Sequence, residues 1–181
     1  MSADSGLMEE GEVLERPLSA EALAACWRAL VDDPRYTDLV GKLEIDFWGR
    51  ITMTPVSSTH AELAGRLIAL LLQHLGGHAL PEVGVQTAEN IFAPDVAWCS
   101  VGFWNEHKDE TPLRRAPEIC IEIASPSNAK QDLERKAHAY LAVGAVEAWI
   151  VYPRSKRIDF HSESGLGSHT AFAIELAHLF D

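Results

Sequence analysis

Apolar positions along the chain change period repeatedly, and each change marks the edge of an element. Leu23, Trp27 and Leu30 recur at helical spacing behind Pro17-Leu18-Ser19, which predicts a helix with Ser19 as N-cap that ends at Asp32-Asp33-Pro34. Leu43-Glu44-Ile45-Asp46-Phe47 instead alternates apolar and acidic residues, the period of a half-buried strand. Trp48-Gly49 reads as a hairpin turn and residues 50–54 as the returning strand. The strongest helical stripe is Leu63, Leu67, Leu70 and Leu71, widened by Ala64, Ile68 and Leu72. It predicts a helix over residues 59–75, opened by a Thr59/Glu62 capping box and stopped by Gly76-Gly77.

The second half reads as strands around one more helix. Residues 79–86 and 91–98 predict strands, and 99–117 a long loop with a short helical piece. Residues 118–124 and 146–152 are almost wholly apolar, the mark of central strands covered on both faces. Between them a helix capped by Ser127 or Asn128 runs to Val143, with Gly144 behind it. Residues 157–161 form a further strand, and 168–181 fits strand and helix equally well. This order predicts an α/β fold, a mixed β-sheet flanked by helices, in a single domain over residues 17–181. Residues 1–16 are acidic with no sustained apolar pattern, and are expected to form a flexible tail.

Composition narrows the class of protein more than the chemistry. A length of 181 residues with 47% hydrophobic and 23% charged residues suits one domain with a sizeable core. No apolar run reaches the roughly 18 residues of a membrane span. Met1-Ser2-Ala3-Asp4-Ser5-Gly6 lacks the basic and apolar regions of a signal peptide, so a cytoplasmic protein with no membrane partner is expected. Cys26, Cys99 and Cys120 form no CxxC and read as reduced, mostly buried thiols. His74 and His78 have the spacing of a helical metal pair, but Gly76-Gly77 interrupts it. The net charge of −12 speaks against tight, non-specific duplex binding, which is driven by Lys and Arg. The acidic tail accounts for part of that excess, and a bound metal would offset more.

Candidate chemistry lies in three short segments: Ala93-Pro94-Asp95-Val96, Ile121-Glu122-Ile123-Ala124-Ser125-Pro126-Ser127 and Asp132-Leu133-Glu134-Arg135-Lys136. Asp95 and Glu122 each place a carboxylate in an apolar run, where an ion without a partner costs several kcal/mol, by a rough estimate. If the two strands are neighbours, both carboxylates reach one divalent cation, with the backbone carbonyl of Ile123 as a further oxygen. Alternatively, Asp95 caps a turn after Pro94 and Glu122 forms a salt bridge. Lys136 follows Asp132 by one helical turn, so a plain surface ion pair competes with a role beside Glu122. Glu44 is a third acid, although Asp46 shares its strand face, as a solvated face would have it. His60 either donates to a phosphate or orients a carboxylate, or is an exposed first-turn residue. Glu62 already has a capping role. Two carboxylates, a metal and an amine are the equipment of a metal-dependent nuclease.

Taken in order, these segments resemble the Uma-type restriction endonuclease family within the PD-(D/E)XK nuclease superfamily. The resemblance runs over about residues 39–165. It rests on Leu43-Glu44-Ile45-Asp46, Met53-Thr54-Pro55 followed by His60, Pro94-Asp95-Val96, Ile121 to Ser127, Asp132 with Lys136 and Tyr140, and Gly144 to Val151. It implies a restriction-endonuclease-like core with Asp95 as the motif Asp and Glu122 as the motif acid. The superfamily's Lys would fall at Ala124, a departure, and Lys136 matches an amine supplied from the following helix instead. Glu44 matches an acid expected near the same metal, with His60 and Ser125 as supporting residues. A second departure is Tyr152-Pro153, where similar sequences commonly carry Asp-Pro, a change expected away from the chemistry. The implied function is a Mg²⁺- or Mn²⁺-dependent endonuclease hydrolysing DNA phosphodiester bonds, with a homodimer expected by analogy. A catalytically inactive nuclease-fold binding or assembly module is the alternative, favoured by Ala124 and the acidic charge. A metal-dependent hydrolase of a small phosphoester is a third reading.

Overall fold

In the computed structural model, which describes residues 17–36, 41–126 and 128–181, Ser19 accepts a hydrogen bond from the Ala22 N–H and opens α1 (Ala20–Asp32). Leu23, Trp27 and Leu30 form its buried face and pack on Ile45 and Ile91. The hairpin forms as expected from β1 (Lys42–Ile45) and β2 (Ile51–Thr54), paired antiparallel with Ile45 opposite Ile51. Its turn is wider than Trp48-Gly49, because the Asp46 carboxylate accepts from the N–H groups of both Trp48 and Arg50 and closes a loop around them. The expected tail over residues 1–16 and the expected cap Ser127 lie outside the described residues.

The Leu-rich helix is α2 (Ser58–Leu75). Its cap is Ser57, whose hydroxyl accepts from the His60 N–H; Glu62, expected in the capping box, pairs with Arg66 one turn on. Leu67 and Leu71 are fully buried, each worth about 1.5–3 kcal/mol of apolar burial.

The two strands expected over residues 79–86 and 91–98 each divide in two. The pieces are β3 (His78–Pro81), β4 (Val85–Gln86), β5 (Ile91–Phe92) and β6 (Val96–Cys99). Pro81, then Glu82 at φ 50, ends β3, and Pro94, which has no N–H to give a ladder, separates β5 from β6. The chain thereby crosses between two sheets. The smaller has the order β2-β1-β5-β4. The remaining elements are α3 (Val101–His107), β7 (Ile119–Ile123), α4 (Lys130–Ala142), β8 (Glu147–Tyr152), β9 (Arg157–Ser162) and β10 (Gly165–Gly167). The larger sheet runs β10-β9-β8-β7-β6-β3 and is mixed, with β7 and β8 parallel. α4 has Ala129 at its N-cap position, with no side-chain hydrogen bond there.

Strand alternation assigns the faces of the larger sheet. Ile119, Ile121 and Ile123 pack with Leu63, Leu67 and Leu71 of α2, and Cys120, Ala148 and Ile150 pack with Leu133, Ala137 and Tyr140 of α4. Residues 168–181 form turns rather than a strand or helix. They are held by Glu147, which accepts from the Thr170 hydroxyl and the Ala171 N–H, and by burial of Leu179.

Candidate active site

The antiparallel register of β6 on β7 sets Val96 opposite Ile121, so Asp95, one residue ahead of β6, arrives beside Glu122 near the end of β7. The alternation that sends Ile121 and Ile123 toward α2 sends Glu122 toward α4, where Lys136 and Tyr140 stand one helical turn apart. Glu122 is 3% exposed and Asp95 6%.

A lysine stands between them. Lys42, the first residue of β1, donates through Nζ to Asp95 Oδ1 at 2.8 Å and to Glu122 Oε2 at 2.8 Å, and lies 3.9 Å from Glu44 Oε1. Lys136 donates to Glu44 Oε1 at 2.6 Å, with its Nζ 3.7 Å from Glu122 Oε1. The Tyr140 hydroxyl donates to Glu122 Oε1 at 2.7 Å. On the other side, Asp95 Oδ2 accepts from the Ile123 N–H at 2.7 Å and lies 3.3 Å from His60 Nε2. The Ala93 N–H donates to Glu44.

Glu44, Asp95, Glu122 and Lys136 therefore meet in one cluster, with His60 at its Asp95 side. Ile123 enters it through its N–H, which fixes Asp95. Ser125 lines the same cavity and donates from both its N–H and its hydroxyl to Asn128 Oδ1, at 2.8 and 2.7 Å. The surface pair considered for Lys136 does not form; Asp132 lies 3.8 Å from Arg135 instead. Lys42 is missed in the sequence, and Tyr140 is noted there only as part of the family resemblance, with no role at the site. Lys42 sits two residues before Glu44 and so shares its face of the strand, and Tyr140 follows Lys136 at helical spacing; neither spacing says that the partner across the gap is a buried carboxylate.

Burial opposes the charge on Lys42, but Glu122, Asp95 and Glu44 outweigh it and hold the ammonium well above its ordinary range. Burial also pushes the Asp95 carboxyl up, yet the hydrogen bond with His60 and the charge of Lys42 prevail and bring it down to about 2. At Glu122 burial wins, and its carboxyl stays above the usual range despite Lys42 and Lys136. Two adjacent carboxylates are thus driven apart, the arrangement that separates roles in many active sites. Burial and the charge of Glu122 keep the Tyr140 hydroxyl protonated, so it serves as a fixed donor.

The cluster lines a cavity of about 220 Å³. A larger one of about 540 Å³ adjoins it, sharing His60, Ile123 and Ser125 and adding Lys130, Tyr152 and Arg154. Tyr152, expected away from the chemistry, thus forms a wall next to it, with the Arg157 guanidinium 4.6 Å from its ring centre. Asp95 and Glu122 present the oxygen donors a hard divalent cation takes, and Mg²⁺ keeps several waters of its own. Their convergence at 2.8 Å each on Lys42 Nζ marks a point where both reach a single cation. Among the described residues no group of three or more His, Cys, Asp and Glu forms a ready metal cage. The donor set present therefore suits a cation held by two carboxylates and water, at the position that Lys42 Nζ occupies.

The model of the Uma2 family, described as "Putative restriction endonuclease", matches residues 35–173. The chain belongs to the Uma2 family. The Uma2 match takes in every residue of the cluster, from Lys42 to Tyr140. A crystal structure titled as "a putative nuclease belonging to DUF820" from Anabaena variabilis has the same fold, with a TM-score of 0.64 at 14% identity. The similarity covers 91% of this Uma2 chain and 98% of that one. No curated protein matches the sequence. The α/β architecture read from the sequence is accordingly the fold of that solved structure.

Proposed function

We propose that this chain is a Mg²⁺- or Mn²⁺-dependent endonuclease acting on DNA, with Asp95, Glu122 and the Ile123 carbonyl holding the metal. The observation that carries this reading is the convergence of Asp95 Oδ1 and Glu122 Oε2 on one cation, each at 2.8 Å. A divalent cation bound there neutralises a scissile phosphate and makes its bound water a better nucleophile. Lys136, anchored by Glu44 and 3.7 Å from Glu122, orients the attacking water and stabilises developing negative charge. It replaces the amine that Ala124 lacks. His60 steadies Asp95, and Ser125 shapes the cavity wall. Lys130 and Arg154 in the adjoining cavity give the phosphate backbone a local cationic approach, which a chain of net charge −12 needs near its site. Cutting both strands calls for two copies, one per strand.

The test is nicking of supercoiled plasmid with Mn²⁺ by wild type and by Glu122→Ala. Wild type should nick and the variant should not; equal nicking by both would mean a contaminating nuclease and remove the support. Two observations favour the second reading, a nuclease fold kept as a binding or assembly module: Lys42 already bridges the acidic pair, and residue 124 is Ala. That reading predicts no heat on titration with Mn²⁺ and no loss of partner binding in Asp95→Ala.

A further inference from the structure

Lys42 is 6% exposed and sits at the centre of the acidic cluster, not at its edge. Its ammonium is bounded by Asp95, Glu122 and Glu44 at 2.8, 2.8 and 3.9 Å. Three carboxylates and two ammonium groups, Lys42 and Lys136, leave the cluster one negative charge. Adding a divalent cation with Lys42 in place would leave an excess positive charge in a buried site, while adding it with Lys42 swung out makes the cluster neutral. Both cations also compete for the same oxygens, Asp95 Oδ1 and Glu122 Oε2. The flexible four-carbon stem of lysine permits the swing, and the cavity of about 220 Å³ lined by Lys42, Thr54, Pro55 and Ser57 provides room for it.

From this geometry we infer that Lys42 is a tethered stand-in for the metal. It holds Asp95 and Glu122 together in the metal-free protein and is displaced when a divalent cation binds. It is a positioning residue, acting on the metal site rather than on substrate. The inference rests on the reading of Asp95 and Glu122 as metal ligands given above. The stand-in explains how two almost fully buried carboxylates stay close without metal, since an unpaired buried charge is strongly destabilising. It also sets a threshold, because every metal ion must outcompete a cation that is always present.

The test is calorimetric titration of Mn²⁺ into wild type, Lys42→Met, Lys42→Gln and Glu122→Gln, with thermal melts in EDTA and in Mn²⁺. Removing a competing charge at this range should tighten Mn²⁺ binding at least about tenfold in Lys42→Met and Lys42→Gln. Both variants should melt below wild type in EDTA and gain more from Mn²⁺ than wild type does. A Lys42 variant that folds only with Mn²⁺ supports the proposal in its strongest form. Equal or weaker Mn²⁺ binding in the folded Lys42 variants overturns it, while wild-type binding that Glu122→Gln abolishes leaves the metal site standing. Lys42 variants that stay unfolded at every Mn²⁺ concentration also overturn it, since lysine would then be a cation that metal cannot replace. No Mn²⁺ binding by any protein removes the metal site and the stand-in together. Tight binding without DNA cleavage removes the nuclease reading alone.

Discussion

Glu122 and Glu147 are both almost fully buried, 3% and 4% exposed, and stand near opposite ends of the central parallel pair of strands. Their partners differ in kind. Glu147 accepts from the Trp149 indole N–H at 2.6 Å, the Thr170 hydroxyl at 2.6 Å and the Ala171 N–H at 2.7 Å. Those are neutral donors, two of them from the C-terminal segment, and they make the carboxylate a clamp on that segment. Glu122 is held by Lys42 and Tyr140, with Lys136 at 3.7 Å, beside the carboxylates of Asp95 and Glu44. Cations shared among competing acids make a poor clamp and a good binding site. A buried carboxylate is thus a weak functional signal by itself, and the charge of its partners decides its meaning.

The contrast is broken most sharply by neutralising each carboxylate in turn. Glu122→Gln should cut Mn²⁺-dependent nicking by at least about a hundredfold, whereas Glu147→Gln should keep the rate per folded molecule; initial rates on plasmid DNA, corrected for the folded fraction, check both. Comparable losses in the two would erase the distinction. Lys136→Met should lower the nicking rate by about a hundredfold or more and leave Mn²⁺ affinity within a few fold, a split read by pairing rates with calorimetry. In stability the order reverses. Glu147→Gln should cost about 1–3 kcal/mol by weakening or reversing its accepted hydrogen bonds, measured by urea unfolding, with proteolysis first attacking residues 168–181.

The smallest effect is a pH dependence. The Asp95 carboxyl is lowered from its ordinary value near 3.8 to about 2, so the stability it contributes is fully present above pH 3.8 and is lost as pH falls toward 2. Glu122 is raised, so it takes up its proton first, and its own contribution favours the fold as pH falls toward its ordinary value. Urea midpoints of wild type and Asp95→Asn should therefore converge as pH drops from about 4 to about 2. A constant difference over that window would mean that the Asp95 charge contributes nothing to the fold.

Much of the fold is legible in the sequence because its long elements are strongly periodic. The Leu63–Leu67–Leu71 stripe, the apolar run around Ile121 and the 146–152 strand all form. What escapes is set by distant partners: Pro81 and Pro94 divide strands whose pieces join different sheets, and residues 168–181 have no periodicity because Glu147 and the sheet hold them. At the site, Asp95 and Glu122 stand out because apolar runs seldom carry acids. Lys42 does not stand out. A lysine at the start of an alternating strand reads as solvated, and only the placement of the hairpin against the β6–β7 pair makes it a buried counter-ion.

Anomalous diffraction from crystals soaked in Mn²⁺ bears on the metal site without any assay of cleavage. One manganese peak is expected between the Asp95 and Glu122 carboxylates, with Lys42 Nζ withdrawn from both. Lys42 still bridging the two carboxylates at millimolar Mn²⁺, with no peak beside them, would rule out both the metal site and the stand-in.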